Sequence, residues 1–156
     1  TPTPYTGWAK LMWGNGQIKA LVQFKDGKED GLLTGWYENG QKQAEKNFKD
    51  GKEDGLLTGW YDNGQKQAEG NFKNGKMNGR STTWYENGQK MNETNFKDGK
   101  WKSVVVWKPN GEKCPVTNLT DGNGVWVSYL RTGLNGFAKP TRTANLSTNP
   151  RPAQTQ

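Results

Sequence analysis

A few residues in this chain are of the types that do chemistry, and their spacing decides what each is for. Paired acids recur at Glu29-Asp30 and Glu53-Asp54. Neighbouring carboxylates can hold a cation, or divide acid and base roles across a glycosidic bond. Each pair lies between turn glycines with Lys28 or Lys52 beside it, so a solvated turn is the expected role. The indoles of Trp36, Trp60 and Trp84 recur at one spacing. Such a row can stack on sugars or bases, or it can be the core itself; the core is expected, because little else is apolar. Gly14-Asn15-Gly16 lacks the following helix and the Lys-Ser/Thr pair of a phosphate cradle. With no His and a single Cys, Cys114, neither an intramolecular disulfide nor a His/Cys metal site can be built. Cys114 is expected to be a small packed side chain. The sequons at Asn92, Asn118 and Asn145 are no more than this Asn- and Thr-rich composition gives by chance. No nucleophile–base pair is visible, so no catalytic, cofactor or metal residues are expected.

What positions these residues is an internal repeat. Gly31 to Lys52 reads GLLTGWYENGQKQAEKNFKDGK, and it returns from Gly55 to Lys76 and, more loosely, from Gly79 to Lys100. Phe24, Phe48, Phe72 and Phe96 are each 24 apart, as are Gly16, Gly40, Gly64 and Gly88. A first copy therefore precedes the clear ones, with Trp13 standing where Tyr37 stands. Two decayed copies follow, with Trp107 and then Tyr129 at the Trp position and turns closed by Gly111 and Gly133. That makes about six units.

Bulk composition fits a thin repeat array. Hydrophobic residues are 30% and mean hydropathy is −1.08, poor for a conventional core. A repeat array tolerates this, because each unit buries its apolar groups on its neighbours. The net charge of +7 is uneven: residues 1–98 hold 14 Lys/Arg and 13 Asp/Glu, and the rest of the chain is basic. The basic end is expected to solubilise; nucleic acid is not favoured as a partner, and a membrane surface is the lesser expectation. No run approaches the length of a transmembrane helix, and no signal peptide is expected.

Two turn signals divide each unit into two strands. Asn39-Gly40 reads as a two-residue type I′ hairpin turn, with Asp50-Gly51 as the second turn. Glycines recur too often for helices. The expected pairing sets Glu38 opposite Gln41, Tyr37 opposite Lys42, Gly35 opposite Ala44 and Leu33 opposite Lys46. Alternation then puts Leu33, Tyr37, Lys42, Ala44, Lys46 and Phe48 on one face, and Leu32, Thr34, Trp36, Gln43 and Glu45 on the other. The first unit offers the most apolar face, with Ile18, Ala20, Val22 and Phe24. The expected fold is all-β: an elongated antiparallel meander of about eleven strands, roughly 50 Å long. Residues 1–6 are expected to be an extended Pro/Thr leader, 7–138 the array (regular to about 100), and 139–156 an aperiodic tail.

The stretch Trp36-Tyr37-Glu38-Asn39-Gly40-Gln41-Lys42 with Glu45, Phe48, Asp50-Gly51-Lys52 and Gly55 resembles the MORN-repeat variant found in many bacterial chains. Trp60 to Lys66 with Phe72, and Trp84 to Lys90 with Phe96, carry the same likeness, which covers residues 7–100 well and 101–137 poorly. The resemblance implies elongated antiparallel β structure that scaffolds protein contacts and sometimes lies on membranes; it brings no catalytic residues. It marks as structural Trp36, Tyr37, Gly40, Phe48 and Gly51, with their counterparts Trp60, Tyr61, Gly64, Phe72 and Gly75, then Trp84, Tyr85, Gly88, Phe96 and Gly99. Chains of this type are often labelled antitoxins of the YwqK family, which implies a module that neutralises a protein partner.

The primary functional expectation is a non-catalytic β-repeat protein that assembles with itself, head to tail, into an extracellular or cell-surface filament. Trp8, Leu11 and Trp13 at the apolar first strand and Leu146 in the tail would carry that contact through sheet edges and termini. The alternative is an antitoxin-like binding module, cytoplasmic, that meets one protein partner.

Overall fold

The computed structural model describes residues 3–115, 117, 119–121, 124–129 and 140–145. It is all-β. Ten strands form one antiparallel sheet in chain order: β1 Gly7–Met12, β2 Ile18–Lys25, β3 Lys28–Trp36, β4 Lys42–Lys49, β5 Lys52–Trp60, β6 Lys66–Lys73, β7 Lys76–Trp84, β8 Lys90–Lys97, β9 Lys100–Val106 and β10 Leu119–Thr120. β11 Val125–Tyr129 pairs with β12 Pro140–Asn145 in a second, two-stranded sheet. The turn closed by Gly133 lies outside the described residues, as does Leu146.

The register confirms Gly35 opposite Ala44 and Leu33 opposite Lys46, and corrects the rest of the hairpin. From Gly35–Ala44 to Trp36–Lys42 the chain advances one residue on β3 and two on β4. Gln43 is thus the extra residue of a β-bulge, and Lys42 lands on the face opposite to the one simple alternation assigns it. The Asn-Gly turn is not type I′. Tyr37 N donates to Gln41 O at 2.8 Å and Gly40 N to Tyr37 O at 3.0 Å, closing a three-residue loop in which Gly40 has φ 83° and Asn39 has ordinary negative φ. The type I′ turns are at Asp-Gly: Asp50 has φ 50° and Gly51 φ 78° between the paired Lys49 and Lys52. Asp26, Asn74 and Asp98 repeat that geometry.

The six-residue leader is also revised. Subtracting the period from Glu29-Asp30-Gly31 gives Tyr5-Thr6-Gly7, and those residues make the same contacts. Tyr5 O accepts from Gly27 N as Glu29 O accepts from Gly51 N, each at 2.8 Å. Thr6 Oγ1 accepts from Asp26 N at 2.9 Å, where Asp30 Oδ2 accepts from Asp50 N at 3.1 Å. The ring of Tyr5 packs edge-on against Phe24, 6.1 Å between centroids.

Burial is thin. Among the described residues the buried apolar side chains are Val22, Val104, Val106, Cys114 and Val127, and the last four form one cluster with Trp101 packed against it. That cluster joins β9 to β11, so among the described residues the buried apolar cluster sits at the far end of the sheet. Along the middle, buried threonines alternate with glutamates across the strands: Thr34, Glu45, Thr58, Glu69, Thr82 and Glu93. The tryptophan row does not form a buried core. Trp36, Trp60 and Trp84 are half-buried on an open sheet.

Candidate interaction surface

The repeated polar residues are chiefly devoted to joining one unit to the next. Tyr37 Oη donates to Trp60 O at 2.8 Å, Tyr61 Oη to Trp84 O at 2.7 Å and Tyr85 Oη to Trp107 O at 2.9 Å. Trp13, in the tyrosine position of the first unit, substitutes its indole Nε1, which donates to Trp36 O at 3.1 Å. Trp13 is therefore tied to the next unit through its indole N–H. Asn39 explains itself in the same way: its Oδ1 accepts from Gln41 N at 3.0 Å, and its Nδ2 reaches Asp62 O in the next unit at 2.9 Å. Asn at this position closes its own turn and clamps its neighbour, which is a different demand from positive φ.

The bulge builds a second repeating join. Because Gln43 is extra, Lys42 and Glu45 share a face and pair at 2.6 Å, and Lys42 Nζ also lies 5.7 Å from the ring centre of Trp60. Lys66 does the same with Glu69 and Trp84, and Lys90 with Glu93 and Trp107. An ammonium over each indole face is a cation–π contact, and it occupies a face that a sugar ring or base would use. The paired acids are likewise engaged. Asp30 and Asp54 accept from the backbone of the following turn, and Glu53 pairs with Lys46 at 2.9 Å. Among the described residues no group of three Asp, Glu or Cys side chains comes together to hold a metal ion.

The glycines divide into two roles. Gly40, Gly64 and Gly88 close the three-residue loops at φ 81–83°, and Gly51, Gly75 and Gly99 complete the type I′ turns at φ 76–78°. Phe48, Phe72 and Phe96 are half-buried, and Phe96 meets Trp101 edge-on at 5.7 Å.

The two ends of the large sheet differ. Beyond β9, Lys102 O accepts from Asp121 N and Val106 O from Cys114 N, while Leu119 and Thr120 pair with Val104 and Ser103. β9 is thus met from Lys102 to Val106, and the two-residue β10 ends the sheet on that side. β1 is the terminal strand at the other end. Among the described residues no further strand pairs with it; the Tyr5 hydroxyl donates to its Trp8 O at 2.7 Å, and its apolar side chains are open: Trp8 is 51% exposed, Leu11 57% and Met12 46%. An unpaired apolar edge strand is a template for another strand. Its only charge is Lys10. Of the four residues expected to carry assembly, Trp8 and Leu11 lie on this edge, and Met12 belongs with them. Sequence reasoning missed Met12 because the edge was read as a run of residues rather than as a surface with one side unpaired.

An open meander in which every unit repeats the same cross-unit hydrogen bonds defines a tandem β-repeat protein. The MORN repeat variant matches at residues 29–50, 53–74 and 77–98, three consecutive units that each run from one type I′ turn to the next. No curated protein matches the chain.

Proposed function

We propose that the chain is a non-catalytic MORN-repeat scaffold that acts by accepting a strand at β1, and that the strand comes from another copy of the same chain. MORN repeats point to an interaction role. The observation that carries the finer reading is the asymmetry of the edges: β9 is covered, and β1 is open, apolar and terminal. The contact is heterologous. β12, the outer strand of the small sheet beside β9, is the element we assign to β1 of the next copy, so the assembly grows head to tail as a filament. In this reading Pro140–Asn145 acts as part of a ribbon paired within its own chain, rather than as a loose strap. The protein then works outside the cell or on its surface. The second reading, an antitoxin-like module in the cytoplasm, uses the same edge for the strand of a single foreign partner.

Multi-angle light scattering over a concentration series separates them. The wild-type mass should rise with concentration, and Leu11→Lys with Met12→Lys should abolish the rise while leaving the circular dichroism unchanged, because both side chains are exposed. A wild-type chain that stays monomeric throughout would sink self-association.

A further inference from the structure

The rim that carries the Asp-Gly turns has a charge pattern the sheet itself does not use. Its four turns set Lys25 opposite Lys28, Lys49 opposite Lys52, Lys73 opposite Lys76 and Lys97 opposite Lys100. Like charges directly opposite one another disfavour strand pairing. All eight side chains are exposed, and among the described residues none of them enters an ion pair. Lysines on the sheet faces are treated differently. Lys42, Lys46, Lys66 and Lys90 each close on a carboxylate at 2.5–3.2 Å. Across three successive turns, Lys28, Lys49, Lys52 and Lys73 line an open depression of about 440 Å³ with Asp50 and Asp54 on its wall. Four ammonium groups there face two carboxylates, and one of these, Asp54, is already bonded to the backbone of Asn74. The turns recur every two strands, about 10 Å apart along the sheet.

We propose that this rim is a docking surface for a linear acidic polysaccharide, one acidic group to each lysine pair. The eight lysines outnumber the rim's aspartates, Asp26, Asp30, Asp50, Asp54 and Asp98, so charge complementarity selects an anion, and the period selects its kind. The spacing of the lysine pairs is comparable with the length of one disaccharide in an extended chain, so a polymer with one acidic group per disaccharide meets every pair in register. Duplex DNA carries a phosphate about every 3.4 Å of helix axis on each strand, so about three phosphates pass each pair. A lipid surface presents no fixed period. Lysine suits the role, since its ammonium is a compact charge with three donors that can serve a carboxylate and neighbouring hydroxyls together. The rim is formed by turns and β1 is an edge strand, so this surface does not depend on self-association.

Titration calorimetry of the full chain at low salt tests it, with hyaluronan oligosaccharides of increasing length as the probe. Affinity should climb with length until the oligosaccharide spans the four lysine pairs, then level off. Lys52→Gln with Lys73→Gln should weaken binding about tenfold, from two lost exposed charge contacts. Lys10→Gln with Lys113→Gln removes the same charge from exposed lysines off the rim and should change binding less than about twofold. Circular dichroism confirms that both double variants remain folded. Four results each overturn the proposal: no hyaluronan binding, equal losses from the two double variants, affinity that keeps climbing beyond the span of the rim, or tighter binding to duplex DNA or phosphatidylserine vesicles.

Discussion

Tyr37→Phe isolates one inter-unit hydrogen bond. The substitution removes a single oxygen and leaves the half-buried ring in place. The lost bond is the 2.8 Å contact from Tyr37 Oη to Trp60 O. A net hydrogen bond of this kind contributes about 1 kcal/mol, and the carbonyl left behind is only partly able to reach water. With a urea slope of about 2 kcal/mol/M for a chain of this size, the midpoint should fall by about 0.5 M. Tyr61 and Tyr85 make the equivalent bonds in the next units, separated by about 10 Å, so the triple Phe variant should lose about 3 kcal/mol if the sites are independent. That is a large share of the total stability of a small domain. Tyr5→Phe is the control. Its hydroxyl also donates to a carbonyl, Trp8 O at 2.7 Å, but within three residues and in the open, so its loss should cost under about 0.5 kcal/mol. The assay is urea unfolding followed by tryptophan fluorescence. An unchanged midpoint for Tyr37→Phe, or an equal loss for Tyr5→Phe, would refute the claim that these tyrosines join the units.

The two turn types give a paired test: Asp50→Gly should be nearly neutral, since φ 50° suits glycine, whereas Asn39→Gly should lose about 1–2 kcal/mol with the two bonds its amide makes. Gly64→Val should lose more than about 1 kcal/mol in thermal unfolding, because φ is 82° and a Cβ there would lie 2.5 Å from Gln41 Oε1. The phenol of Tyr85 is pushed above its ordinary value by burial first, then by Cys114 and Tyr61. The folded chain therefore holds that proton more tightly than the unfolded one, and the stability it contributes is fully present below about pH 10 and lost as pH rises through the higher folded value. The urea midpoint should accordingly hold to about pH 9 and then fall, and Tyr85→Phe should flatten that fall.

The repeat period was legible in the sequence because apolar and turn residues recur on it, and Trp13 could be placed on Tyr37 by subtraction alone. The hydrogen bond it makes to Trp36 O bears that out. The same subtraction carried eight residues further back, to Tyr5, would have identified Tyr5-Thr6 as a repeat position; the two prolines nearby concealed it. The Gln43 bulge left no signal in the alternation, since a bulge is set by backbone pairing and Gln is tolerated on either face. Its trace was the spacing of Lys42 and Glu45, which straight alternation would put on opposite faces and which the structure pairs. The Asn-Gly turn was misread because the dipeptide fits two loop lengths, and only the neighbouring unit's carbonyl decides between them. The core cluster at β9 was partly visible as the β-prone Ser103–Trp107, but the contribution of Val127 depends on a contact across an aperiodic stretch.

Hydrogen–deuterium exchange across a concentration series tests the central claim most directly, because it reads the edge that does the recruiting. Amides of β1, Gly7–Met12, should become protected as concentration rises, while those of β9, Lys100–Val106, stay unchanged because that edge is already covered. Protection of β1 that is the same at every concentration, or that rises equally in β9, would contradict strand addition at β1.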